Sequence, residues 1–522
     1  MFRSPSERDI AEVAASLGIH LTLDEAQVYR TFVAEQLSVY DEFIQSRVPE
    51  ISPPLLCGNR DPGYRPRSEE DPLNAWLWRC NISSPGIGLL QGKTVSFKDH
   101  VSVAGMPLTF NSSPMEGFIA NFDATIVTRV LRAGGTIIGK NTMNGFTGGE
   151  AMGGRMGDFW RPVNPRDPER LPGGSSSGSA VAVASGDVDV SFGGDQAGSI
   201  RIPAAYCGVV GMKPTFGLVP NMGAVFGSDP SVDHLGPLAR YVEDAAAALE
   251  AVAGHDPLDP RQGRDVPESM DVMSHLEDGV KGLRVGVLRE AFDEPIDPDV
   301  RRGVLDAVAV LEKAGADVLE ISIPEHRQIH TPAAILDVGG AHAIHATGAY
   351  GAWAQTFYPA SLIAAIDRMW AWQGDLLATK TKLRLVLGEL ARRNFNGAAY
   401  AKAQNVRPFF RAGYDRQLEE VDLLAMPTCR TVAPRIPREG DEGSEASGTL
   451  SDGASAARLN SALYNTKPFN YTGHPGIAIP CGKSSGLPYS LQLVGRHFDD
   501  ALVLRAAYKY QESVHWARLI SV

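Results

Sequence analysis

A mixed α/β sheet covered by helices on both faces, preceded by an N-terminal helical extension, is the fold class this sequence predicts. Three observations predict it. From Gly92 onward, short apolar runs with strand texture alternate with helical patterns, the arrangement that places helices over both faces of a largely buried sheet. Before that, two helical periodicities fill the first 47 residues and end at a proline-rich break. The composition, 43% hydrophobic and 21% charged over 522 residues, is that of a globular chain long enough to bury a large core.

The elements follow in order. Ser6 is an N-cap with Asp9 at the capping-box position, and Ile10, Val13, Ala14 and Leu17 share one helical face. Asp24 to Arg47 carries a second helical pattern, and Ser52 to Pro72 reads as loop. Thr94 to Lys98 alternates like a strand. Asp123 to Ala133 reads as a helix capped near Asp123 and stopped by Gly134-Gly135, and Thr136 to Gly139 as a short buried strand. Ser179–Ser185 (helix), Val188–Phe192 (strand), Val242–Ala253 (helix) and Leu283–Leu288 (strand) continue the alternation. Val300, Val304, Val308 and Leu311 form one helix stripe ended by Gly315. Residues 325–420 read as mostly helical with many aromatics, Val421 to Met426 as strand, and 434–455, rich in Gly, Ser, Glu and Pro, as a surface loop. The expected organisation is a helical extension over 1–70 and one α/β domain over 71–522 with a helical insertion around 325–420.

Composition excludes several function classes. A formal net charge of −12 with no lysine–arginine run repels phosphate backbones, so no nucleic-acid partner is expected. No segment is apolar for long enough to cross a bilayer, and the N-terminal residues lack the apolar stretch of a signal peptide. The five cysteines, Cys57, Cys80, Cys207, Cys429 and Cys481, are scattered without a CxxC pair, as expected of reduced thiols in the cytoplasm.

Three segments stand out chemically. Gly173-Gly174-Ser175-Ser176-Ser177-Gly178-Ser179 lets backbone turn sharply and approach other groups. Apolar helix and strand patterns follow it directly, unlike a flexible linker, and it lacks the lysine of a phosphate-binding loop. Gly193-Gly194-Asp195-Gln196-Ala197-Gly198-Ser199 follows a strand and offers several main-chain N–H groups beside a serine. An oxyanion pocket needs such donors, although an ordinary glycine-rich turn has the same composition. Lys98 lies inside an apolar strand, where a lysine either snorkels to solvent or, if buried, loses its charge and becomes a base.

Taken together, these segments resemble the amidase signature family. The two serines, Ser175 and Ser199, lie 24 residues apart. The likeness extends through Ile200-Arg201-Ile202-Pro203-Ala204, Tyr206 to Thr215, Val95 to His100, Ala425 to Thr428, Asn470 to Pro475 and Leu487 to Arg496. Asp233-His234-Leu235-Gly236-Pro237 and the Gly-Asp-Gln form of the serine loop are similar to the enantioselective amidases of bacterial nitrile metabolism. The resemblance implies an amide hydrolase without cofactor or metal. Ser199 is then the nucleophile, Ser175 a bridging acid/base on a cis peptide, and Lys98 the terminal base. The main-chain N–H groups of Gln196, Ala197, Gly198 and Ser199 hold the oxyanion. Asp195 and Arg201 steady the loop, and Thr147 contacts a small-molecule amide substrate. Ser177 and Ala197 stand where relatives usually have glycine. Strand alternation sends Asp99 away from Lys98.

Other readings compete. His326 and His330 at i,i+4, and His342 and His345 at i,i+3, suit metal ligands on a helix face, but no HExxH or matching acidic residue accompanies them. The same triad is able to hydrolyse anilides, carbamates or esters. A glutaminase-type subunit of a tRNA-dependent amidotransferase shares the resemblance, and the N-terminal helices argue against it. Those helices are candidates for homodimerisation. Aromatics at 340–375 serve either an acyl pocket or the core.

Overall fold

The computed structural model describes residues 4–521 apart from 51, 59, 148–158, 160, 225–228, 347–354, 378 and 437–461. Two compact units form, Met1–Ser52 and Pro53–Val522. The first is a helix pair, α1 (Glu7–Ser16) and α2 (Leu23–Ile44). Each begins with a reciprocal capping box, Ser6 with Asp9 and Thr22 with Glu25, which satisfies two main-chain donors that a helix start leaves open. Among its described residues only Ala14 and Ala26 are buried, and Leu17, Leu23, Val28, Phe32, Phe43 and Ile44 are exposed.

The second unit is built on one eleven-stranded mixed sheet. In chain order its strands are β1 (Trp76–Ile82), β2 (Thr94–Lys98), β3 (Thr136–Asn141), β4 (Val190–Asp195), β5 (Val210–Lys213), β6 (His234–Ala239), β7 (Arg284–Leu288), β8 (Asp317–Ile321), β9 (Leu423–Pro427), β10 (Gly476–Ser484) and β11 (Leu487–Val494). Across the sheet the order is β1-β3-β2-β4-β6-β5-β10-β11-β9-β7-β8. Strand β2 runs parallel to both β3 and β4, and β7 parallel to both β8 and β9. The β10–β11 hairpin pairs antiparallel with β5 on one side and β9 on the other.

Helices cover both faces. One face packs on α3 (Thr125–Arg132), α6 (Val242–Val252), α7 (Pro298–Lys313) and the helix Asp500–Glu512; the other packs on α4 (Ser177–Ser185) and α5 (Arg201–Cys207). The pleat sorts the side chains: Ile477 and Ile479 join the first cluster and Ala478 the second. Fully burying α4 explains its composition, since its residues are all Ser, Gly, Ala or Val and it has no exposed face.

Helices α8 (His330–Ala346), α9 (Ala360–Gln373), α10 (Thr379–Phe395), α11 (Ala398–Asn405) and α12 (Arg407–Glu420) fill the expected helical insertion. The loop expected at 434–455 lies largely outside the described residues. Asp123 does not cap α3, whose N-cap is Ala124 without a side-chain bond. Its carboxylate is taken instead by a two-pronged pair with Arg60 (2.7 and 2.5 Å) and by the Ala104 N–H (2.9 Å). Among the described residues, no helix is long and apolar enough to cross a membrane.

Candidate functional site

The site sits where β2, the α4 loop and the β4–α5 loop meet. In β2, Val95 and Phe97 enter the α3/α6 core, so alternation turns Ser96 and Lys98 to the α4 side. There Lys98 is fully buried, and its Nζ donates to Ser175 Oγ at 2.7 Å and to the Gly194 carbonyl at 3.4 Å. Asp99 does point away: it pairs with buried Lys140 at 2.7 Å and accepts from the Thr109 main chain and hydroxyl. Burial therefore acts on Lys98 with no carboxylate in contact, and lowers its pKa to about 7 against the weaker pull of Asp233 and Asp195. The start of α4, two residues past Ser175, adds a partial positive charge that also disfavours the ammonium.

The Gly174–Ser175 peptide is cis, as the resemblance implied. Around it, the Ser175 carbonyl accepts from Asn144 N–H (3.1 Å), and the Ser176 N–H donates to the Ser199 carbonyl (3.2 Å). The Ser176 hydroxyl reaches the Gly194 carbonyl (3.1 Å). These main-chain and side-chain ties hold the two serine loops side by side. Lys98 and Ser175 have no exposure, whereas Ser199 keeps 8%, so Ser199 is the accessible one of the three.

Asp195 organises the second loop. Its carboxylate accepts from the N–H groups of Gly198 (2.6 Å) and Ile200 (3.1 Å) and takes two bonds from Arg201, both at 3.0 Å. Burial alone would raise its pKa, but Arg201 and Asn470 outweigh that and hold it well below the usual carboxylate range. Arg201, itself without exposure, also bonds Gln492 (3.0 Å) and Asn470 (2.7 Å). Asp195 and Arg201 are therefore an interior brace, not a surface salt bridge.

One expectation is corrected here. Gly198 N–H is already committed to Asp195 and does not face an oxyanion. The main-chain N–H groups of Gln196, Ala197 and Ser199 donate to no described residue. Gly198 has a different role: at φ 134° it adopts a backbone conformation that suits glycine, and a Cβ there would strike Thr466. The Thr466 hydroxyl in turn donates to the Ala197 carbonyl (2.7 Å). Ser177 and Ala197 lie outside the positive-φ region, so replacing glycine at those two positions strains nothing. Thr147 closes the short turn Gly145–Thr147, and its side chain lies outside the described residues, as do residues 148–154.

Several site residues carry no role in the sequence reading. Asn470 and Gln492 lie 269 and 291 residues from Arg201 in sequence; only their place in shared motifs marked them. Asp233 is buried, accepts from the Gln196 side chain (2.5 Å), and its other carboxylate oxygen has no partner among the described residues. Burial raises its pKa to about 7, against Arg261, Gln196 and Lys98. Of the weighed histidines, His326 spends both nitrogens on Tyr414 (2.7 Å) and Asn465 (3.1 Å), which leaves none for a metal. The side chains of His342 and His345 lie outside the described residues. Phe110, Phe146 and Trp370 pack as tilted rings in one aromatic cluster, ring centroids 5.1 and 5.8 Å apart, with Phe146 two residues from Asn144.

Residues 80–504 match the family model described as Amidase. The chain is 39% identical to a glutamyl-tRNA(Gln) amidotransferase component, the A-type subunit, of Moorella thermoacetica, over 83% of this chain and 85% of the relative. It is 38% identical to an enantioselective amidase of Rhodococcus rhodochrous, over 85% of this chain and 84% of the relative. Among solved structures, a 6-aminohexanoate cyclic dimer hydrolase superposes with a TM-score of 0.69 at 26% identity and covers 98% of both chains.

Proposed function

The chain belongs to the amidase family, and from that premise we propose that it hydrolyses small aryl or aliphatic amides through a Ser199–Ser175–Lys98 relay and an acyl-enzyme. That it is an amide-bond hydrolase follows from the family; the relay and the substrate class are our reading. The observation that carries it is the 2.7 Å contact between a fully buried Lys98 and Ser175. A serine hydroxyl is a weak nucleophile until a base takes its proton. A neutral amine at position 98 draws the Ser175 proton while Ser175 takes that of Ser199. Ser199 attacks the amide carbonyl, and the N–H groups of Gln196, Ala197 and Ser199 receive the developing oxyanion. The relay then runs backward to protonate the leaving amine, and water releases the acid by the same route.

The aromatic cluster at Phe110, Phe146 and Trp370, joined through Phe146 to the turn whose Asn144 N–H donates to the Ser175 carbonyl, supports an aryl or apolar acyl group. Five free cysteines support a reducing, cytoplasmic setting. The exposed apolar residues of α2 support self-association into a homodimer, which sedimentation of the full chain against a chain starting at Pro53 tests.

A second reading, a glutaminase-type subunit handing ammonia to a partner, is favoured by the 39% identity to the amidotransferase component. The full-length match to a 6-aminohexanoate cyclic dimer hydrolase, which takes in the N-terminal unit, favours a free-standing enzyme. Turnover by the purified single chain on a panel of primary amides, anilides, carbamates and glutamine separates them. Hydrolysis of aryl or aliphatic amides without a partner supports the proposal; activity on glutamine alone would replace it.

A further inference from the structure

Outside the relay, Asp415, His474 and His497 bring one ligand atom each into a common space, all within 4.8 Å of one another. They come from three places in the fold: α12, the turn between the helix Lys467–Thr472 and β10, and the loop after β11. The hydrogen bonds orient both imidazoles. His497 Nε2 lies 3.0 Å from the Thr472 carbonyl oxygen. That oxygen only accepts, so Nε2 carries the proton and Nδ1 presents a lone pair. Nδ1 stands 4.0 Å from Asp415 Oδ1. His474 Nδ1 lies 2.8 Å from the Thr472 hydroxyl, whose own proton has the Pro468 carbonyl at 3.1 Å, and its Nε2 is 2.9 Å from the same Asp415 oxygen.

Two imidazole nitrogens and a carboxylate oxygen converge, and each imidazole is held through its other nitrogen by a single residue, Thr472. Outer-sphere bonds of this kind fix histidine ligands in metalloproteins. The ligand-atom separations of 2.9 and 4.0 Å bracket the edge of about 3.3 Å expected of a tetrahedron with bonds near 2.0 Å. A donor set of two nitrogens and one oxygen suits zinc and its neighbours rather than magnesium or calcium. Asp415 is 45% exposed, which leaves an approach from solvent and room for a water ligand. Arg411 contacts the other carboxylate oxygen at 3.4 Å, which leaves Oδ1 for the ion while its charge moderates affinity.

We propose that Asp415, His474 and His497 form a binding site for one divalent transition-metal ion of the zinc class. The ion takes no part in amide hydrolysis. It ties α12 to the helix Lys467–Thr472, on which Asn470 bonds both the carbonyl and the carboxylate of Asp195. Its effect is therefore on stability and on the rigidity of the Asp195 brace.

The test uses the full chain, stripped with a chelator, dialysed and then titrated separately with zinc chloride and cobalt chloride. Metal retained after gel filtration, the cobalt absorption spectrum and the melting temperature are read together. The expected result is about one ion per chain, a tetrahedral cobalt spectrum and a raised melting temperature in the wild type. H497A and D415A, at the partly exposed ligands, lose affinity by at least about tenfold while keeping the wild-type circular dichroism spectrum. H474A, which empties a buried position, is secondary. Absence of stoichiometric binding to the wild type, or binding undiminished in both H497A and D415A, overturns the proposal.

Discussion

Replacing Lys98 by alanine probes the relay at its base. Burial takes the amine from an ordinary value of 10.5 to about 7, a differential stabilisation of the neutral form of roughly 5 kcal/mol. Near neutral pH a large share of the molecules then carry a neutral amine, against about one in a thousand for an exposed lysine, a gain of roughly two to three orders of magnitude in available base. The expected wild-type profile of kcat/KM rises about tenfold per pH unit below 7 and levels off above it. K98A loses at least about 10³-fold, together with that acid limb. The rate of fluorophosphonate labelling at Ser199 reads the same effect without a known substrate. An acid limb that survives in K98A, or labelling within a few-fold of wild type, would refute the assignment of Lys98 as the base. The sign for stability runs the other way: between pH 7 and 10.5 the unfolded chain binds the proton that the folded chain refuses, so the cost is full below pH 7 and fades as pH rises. K98M, which fills the space without the charge, is expected to be at least as resistant to urea as wild type at pH 6.5 despite losing a buried hydrogen bond.

Other perturbations follow from the same geometry. S175A, measured by steady-state turnover, loses about 10²- to 10⁴-fold with little change in melting temperature, because the relay has no other hydroxyl in contact with Lys98 among the described residues. R201M leaves the Asp195 carboxylate buried without its main partner and is expected to cost about 3–5 kcal/mol in urea unfolding. D233N keeps the acceptor for Gln196 but removes a carboxylate whose folded pKa is raised to about 7. Wild-type stability should fall between pH 4 and 7 relative to D233N, and the acid limb of D233N should move below pH 7, since Asp233 helps hold the proton on Lys98. G198A forces a side chain into a backbone region reserved for glycine and onto Thr466; activity should fall well before the fold fails.

The chain's local signals carried a good part of this. Strand β2, helix α4, the α7 stripe and the Ser6 cap are periodicities or caps set by neighbours within a turn or two, and they appear where the residues place them. Strand β1 was not foreseen, because Trp76–Ile82 alternates weakly and pairs with β3 only through register shifts. Asp123 looked like a helix cap and was claimed by Arg60, 63 residues away. The candidates Lys98, Ser175 and Ser199 were legible through the resemblance of their segments, in order and spacing, to the amidase signature family; composition alone left a flexible linker and an ordinary turn open. The brace beneath them was not, since Asn470 and Gln492 reach Arg201 across hundreds of residues. The commitment of Gly198 N–H to Asp195 was equally hidden: composition shows a donor and not where it points.

The most direct measurement is mass spectrometry of the enzyme quenched during turnover of a primary aryl amide or a slowly deacylating ester. An acyl mass on the peptide carrying Ser199, lost in S199A and slowed in both S175A and K98A, is the result expected. Turnover by S199A, or an acyl group carried on any other residue, would contradict the account.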